Sequence, residues 1–179
     1  MILGLDISTS ITGMTVISED GNIVLCEALD TRNKKYFPTL FHKAELIKSK
    51  LEDLKHQHEI THVFIEESLQ SFRSGFSSAK TLSTLSKING IVSFVAYETF
   101  SMEPEFIAST SARKLCGIKV QRGTKAKKVV LQFLLDNDPQ FDIRYTKHNN
   151  PSPDSYDRAD SLIIARAGLE LCRRKNLKS

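Results

Sequence analysis

The chain has 179 residues, 40% of them hydrophobic and 26% charged, and a formal net charge of +4. That balance belongs to an ordinary globular protein with enough chain for one sizeable core, and it excludes disordered and collagen-like chains. The mild basic excess permits a nucleic-acid partner without requiring one.

The opening MILGLDIST has no basic region ahead of its apolar run, and Asp6 interrupts that run. It reads as a core strand rather than a signal peptide. No apolar run approaches the ~18 residues that span a bilayer. The expectation is a cytoplasmic protein, of a bacterium or a phage-infected host, with no membrane partner. The cysteines, Cys26, Cys116 and Cys172, are odd in number and far apart. Free thiols are expected, and no zinc site.

Ile2 to Asp6 reads as a buried strand closed by an acid. Thr12 to Ser18 and Ile23 to Ala28 read as two more strands, joined by the turn Glu19-Asp20-Gly21-Asn22. From Pro38 to about Lys55, Leu40, Ala44, Ile47, Leu51 and Leu54 recur at helical spacing. Thr61 to Ile65 is a short β-rich run followed by Glu66-Glu67. Helical spacing returns from about Ser77 to Tyr97, with Leu82, Leu85, Ile88, Val92 and Val95 as a core stripe, part of it available as a dimer seam. Glu105 to Ala108 reads as a strand. Two helical pieces then flank a basic loop, Lys119 to Lys128. The last helix runs from about Ser155 to Arg174, with Asp154 or Ser155 as its N-cap. The order of elements implies an α/β chain, one mixed sheet flanked by helices.

The chemistry lies in the acids. Asp6 and Glu66 each close an apolar strand, where a bare carboxylate is costly unless paired or bound to a cation. Asp157 and Asp160, three apart on the first turns of a helix, share one face, and the helix N-terminus favours their ionised forms. Singly, each has an ordinary reading as a cap, a surface ion pair or a solvated carboxylate. Together, four acids without cysteine or histidine suit Mg²⁺, with Mn²⁺ as a substitute. Two such ions would suit phosphodiester hydrolysis. His56, His58 and His62 straddle a helix end and a strand start, so they are not expected to converge. His148 reads as exposed.

The strings ILGLDISTSITGMTVI, HVFIEESL and YDRADSLIIA resemble the three motifs of the RuvC-like Holliday-junction resolvases, and Asp6, Glu66, Asp157 and Asp160 fall on the family's acids. The resemblance covers nearly the whole chain. It implies a single RNase H-like domain over 1–179, with a five-stranded mixed sheet and helices on both faces. It further implies a Mg²⁺-dependent endonuclease acting on branched DNA, a four-way junction foremost, and leaving 5′-phosphate and 3′-hydroxyl ends. Asp6 would bridge two ions, the other three acids would complete their shells, and a homodimer would nick paired strands. The chain departs from the family in having Ile7-Ser8 where Pro-Gly is usual, and Glu67 where Gln is common. Glu67 competes with Asp157 as a fourth ligand. Leu69 stands where an aromatic commonly engages the junction, with Phe72, Arg73 and Phe76 nearby as DNA contacts.

Lys114, Lys119, Arg122, Lys125, Lys127 and Lys128 cluster around Gly123. The bland reading is a solvated loop; the functional one is a grip on phosphates. Lys127 is the closest match to a family lysine, and Lys127 or Lys128 would stabilise transition-state charge. Arg173, Arg174, Lys175 and Lys178 form a basic tail within possible reach of a DNA arm. Two alternatives stay open: a nuclease of RNA–DNA hybrids or flaps using the same acids, and an actin-like ATP-binding or kinase-type domain, which also opens on an Asp-containing strand and a Ser/Thr-Gly turn.

Overall fold

The computed structural model describes residues 1–67 and 79–177. Five strands, β1 (Ile2–Asp6), β2 (Ile11–Ile17), β3 (Ile23–Asp30), β4 (His62–Glu66) and β5 (Glu105–Ile107), form one sheet in the order β3-β2-β1-β4-β5. The first three pair as an antiparallel meander; β4 lies parallel to β1, and β5 parallel to β4. Gly21, at φ +90°, closes the expected turn, where its amide donates to the Ser18 carbonyl at 2.9 Å. The helices are α1 (Leu40–Gln57), α2 (Ala79–Phe100), α3 (Ser109–Leu115), α4 (Ala126–Asn137) and α5 (Asp154–Asn176). The mixed sheet and its two helical layers agree with the expected architecture.

Strand alternation splits the core in two. Leu3, Leu5, Met14, Val16, Val63 and Ile65 meet α1 and α2, which bury Ile47, Leu51, Leu54, Ile88, Val92 and Val95. Of the α2 stripe read from the sequence, Ile88, Val92 and Val95 are core, whereas Leu82 and Leu85 near the helix start are only partly buried; Phe94 and Tyr97 point outward, 59% and 47% exposed. On the opposite face, Ile2, Ile17 and Phe64 meet α5, with α3 and α4 packed outside it. None of the described helices is long and apolar enough to cross a membrane.

Helix α5 lies unusually close to the sheet because two strand residues lack a side chain. A Cβ on Gly13 would stand 2.0 Å from the Asp157 carbonyl oxygen, and one on Gly4 would stand 2.5 Å from Ala165 N and Ser161 O. The Thr15 and Ser161 hydroxyls meet at 2.8 Å across the same interface, so that buried polar pair is satisfied. The start of α5 differs from the expectation. Its cap position is Pro153, which makes no side-chain cap bond. Asp154 opens the first turn instead, and Ser155 is fully buried within it, its hydroxyl 3.0 Å from that of Ser152. Proline suits a helix entrance because its φ is already helical.

Candidate active site

Strands β1, β4 and β5 run parallel, so their C-terminal ends share one sheet edge. Asp6 and Glu66 are the last residues of adjacent strands at that edge. Alternation sets Asp6 on the face of Ile2 and Gly4, and Glu66 on the face of Phe64, which is the α5 side. Glu67 follows on the opposite phase and is exposed, its amide bonded to the Ile107 carbonyl at 3.0 Å. Asp157 and Asp160 descend onto the same edge from the first turns of α5, held there by the contact of Gly13 with the Asp157 backbone.

The turn after Asp6 has its own scaffold. The Ser8 hydroxyl accepts from the amides of Ser10 (3.1 Å) and Ile11 (3.0 Å) and donates to the Ile11 carbonyl at 2.6 Å. A serine side chain thus fixes a reversal for which a Pro-Gly pair would use dihedral preference.

The four carboxylates feel one another. Burial, then Glu66 and Asp160, raise the Asp6 pKa well above the usual aspartate value, with Lys127 opposing. Glu66 is pushed up to about 7, by burial first and then by Asp160, against Lys127 and Arg113. Burial also raises Asp157 and Asp160, and Lys127 opposes both shifts. Burial, reinforced at Asp6, Glu66 and Asp157 by neighbouring carboxylates, is what raises these groups where the counter-charge falls short.

Lys127, on the first turn of α4, supplies the counter-charge present. Its ammonium lies 3.1 Å from Asp160 Oδ2 and 3.5 Å from Asp157 Oδ1. Partial burial disfavours that ammonium, but Asp160, Asp6 and Asp157 outweigh the penalty and hold its pKa above the usual lysine value. Among the described residues, no three His, Cys, Asp or Glu side chains stand in a ready-made metal-holding cluster. The donor chemistry nevertheless fits a hard divalent cation: all four candidate groups are carboxylates, and two of them are strongly disfavoured as bare anions.

Arg113 on α3 is a site residue that the sequence reading overlooked. Its charge acts on both Glu66 and Asp160. With Lys114 and Lys119 it lines a cavity of about 290 Å³ beside the α3 terminus. Its neighbour Lys114 is exposed, whereas Arg113 is partly buried, and only the placement of α3 after β5 shows which of the two acts on the acids. Lys119, Arg122, Lys125 and Lys128 are exposed along the segment leading into α4, where Gly123 turns the chain at φ +86°. Leu69, Phe72, Arg73 and Phe76 lie outside the described residues. In the basic tail, Arg173 is engaged by Glu170 and the Glu19 carbonyl, and Lys175 by Glu105. With a rise of ~1.5 Å per residue, that end of α5 stands roughly 24 Å from Asp157.

No protein-family model and no curated protein matches this chain by sequence. By structure, the chain superposes on Thermus thermophilus RuvC with a TM-score of 0.65 at 18% identity, over 97% of this chain and 96% of that one. It superposes on T. thermophilus RuvC in complex with Holliday junction substrate with a TM-score of 0.65 at 15% identity, over 97% and 94%. For the yeast mitochondrial Holliday junction resolvase the TM-score is 0.59 at 15% identity, over 98% and 82%. The chain has the RNase H-like fold of the RuvC-like resolvases.

Proposed function

We propose that this protein is a structure-selective endonuclease that hydrolyses phosphodiesters in branched DNA, four-way junctions foremost. The observation that carries the proposal is the gathering of Asp6, Glu66, Asp157 and Asp160 at one sheet edge, with mutually raised pKa values and a lysine between two of them. The resolvase-type fold supports the choice of substrate. These carboxylates would hold two Mg²⁺ ions, or Mn²⁺ in their place, which when bound supply Lewis-acid activation of water and stabilisation of the leaving oxygen.

The chain's own groups have distinct tasks. Asp6 is central, because it feels all three other acids. Glu66 is fixed by the strand, and Asp157 and Asp160 by the helix, so each side of the site has a rigid support. Lys127 neutralises the helix acids in the free protein. With cations bound to those acids, the Lys127 ammonium would be free to face the non-bridging oxygens of a phosphate, where charge builds in the transition state. Arg113 approaches from α3 and adds a second positive group near Glu66. A four-way junction has two-fold symmetry, and a homodimer would present two such sites to opposed strands.

A cleavage panel tests this reading. Labelled four-way junction, flap, linear duplex and RNA–DNA hybrid would be incubated with the protein in Mg²⁺ and in EDTA. Paired nicks in the junction, in Mg²⁺ only, are expected. Preferential cutting of the hybrid, or no cutting of any substrate, would contradict it.

A further inference from the structure

We infer that the connector between β3 and α1 builds a second DNA-binding groove, which takes the sugar–phosphate backbone on the side of the acids away from Lys119 to Lys128. The inference rests on the nuclease reading above. Topology gives the placement. The connector leaves from the Asp30 end of β3, which pairs with Ile11 at the edge where Asp6 ends. The Arg113–Lys128 segment follows β5 at the other end of the strand order. The acids of β1 and β4 therefore lie between two basic segments. Two strand spacings, ~10 Å, separate β1 from β3, so the connector lies within reach of a DNA strand that passes the acids.

A groove of about 580 Å³ occupies that position, lined by Thr9, Ser10, Arg32, Lys34, Phe37 and Lys43 among others, none of them acidic. Thr9 and Ser10 belong to the turn that begins at Asp6, so the groove and the catalytic edge share a wall. Arg32 also senses Asp157 and Asp154. A lysine-rich connector is ordinarily just a solvated segment. This one is tied down. The Thr31 amide and hydroxyl both donate to the Ser10 carbonyl, at 2.8 and 3.1 Å. Asn33 organises a turn, accepting from the amides of Tyr36 and Phe37 through its carbonyl and of Lys35 through Oδ1. The Lys43 ammonium donates to the Thr9 carbonyl. Arg32 is neutralised by Asp30. Neither Lys34 nor Lys43 has an acid within ion-pair distance among the described residues; Lys43 is held by Thr9 and acts on Asp30 only at longer range, and Lys34 is exposed on the groove wall. Thr39 caps α1, which has no acid in its first turn, so the positive end of that helix faces the same groove.

The test is binding of a fluorescent four-way junction, followed by anisotropy across a salt series in EDTA, so that no strand is cut. Lys34→Ala should weaken binding about three- to tenfold near ~0.1 M salt and flatten the log Kd against log salt slope by about one. Lys34→Glu should exceed it. Lys55→Ala, at the far end of α1, removes the same charge and should leave the slope unchanged. Matching melting curves would show that the variants are folded, as expected for the exposed Lys34. A parental slope in both Lys34 variants, with the junction still bound and nicked in Mg²⁺, overturns the groove alone. Failure of the parent to bind any DNA overturns the groove and the nuclease reading together.

Discussion

The two faces of the sheet are built on different terms. Towards α1 and α2 the interface is mainly aliphatic, with Leu3, Leu5, Ile47, Leu51 and Leu54 buried, and the polar Asn89 and Thr99 of α2 spend their hydrogen bonds on backbone carbonyls. Towards α5 the strands give up side chains at Gly4 and Gly13 and admit the Thr15–Ser161 pair. The first face maximises apolar burial. The second gives some of it up to bring a helix backbone onto the strands, and that approach sets Asp157 and Asp160 beside Asp6 and Glu66. Stability and chemistry are thereby assigned to opposite sides of one sheet.

The largest break of this division should come from Gly13→Val. No rotamer relieves a Cβ placed 2.0 Å from the Asp157 carbonyl, so α5 must lift. We expect a loss of stability of at least ~3 kcal/mol by chemical denaturation, and no cleavage even from molecules that remain folded. Leu51→Ala on the other face should cost a comparable ~2–5 kcal/mol by leaving a cavity, yet leave the cleavage rate per folded molecule unchanged. If Leu51→Ala abolished cleavage at full occupancy of the folded state, the two faces would not be separable.

A smaller effect lies in pH. Glu66 ionises near 4.5 when unfolded and at about 7 when folded. The folded state therefore holds the proton more tightly, and this contribution to stability is fully present below pH 4.5 and lost as pH rises through 7. Asp6 shifts in the same direction. Metal-free protein should melt lower at pH 8 than at pH 5.5, and Glu66→Gln should flatten that dependence and raise the melting temperature at pH 8. A parent that gained stability over this range, with no change in Glu66→Gln, would deny that the acids are crowded. The smallest effect concerns Lys128, exposed beside Lys127. Lys128→Ala should reduce the salt dependence of DNA binding by about one contact without changing the cleavage rate at saturating DNA.

Much of this was legible in the chain itself, for identifiable reasons. An apolar run closed by an acid marks a strand end, and that pattern located Asp6 and Glu66. Two acids at i and i+3 mark a helix face, and that pattern located Asp157 and Asp160. The relations between elements were not legible. Gly13 reads locally as part of a Thr-Gly motif, whereas its reason lies in the backbone of Asp157, far along the chain. Arg113 is one cation among several until α3 is placed after β5. Lys127 reads as a phosphate ligand, but in the free protein its partners are Asp157 and Asp160. The α5 entrance was misjudged because Asp154 and Ser155 are good caps by type, while Pro153 already holds the helical φ.

The central claim is that Asp6 is the shared carboxylate of a metal-dependent hydrolytic site. It is tested most directly by Asp6→Asn, measuring junction cleavage in Mg²⁺ alongside junction binding in EDTA. We predict an unchanged or higher melting temperature, since a disfavoured buried anion is removed, with binding within about twofold of the parent and cleavage reduced by at least ~10³-fold. Near-parental cleavage by a folded, junction-binding Asp6→Asn protein would contradict the account.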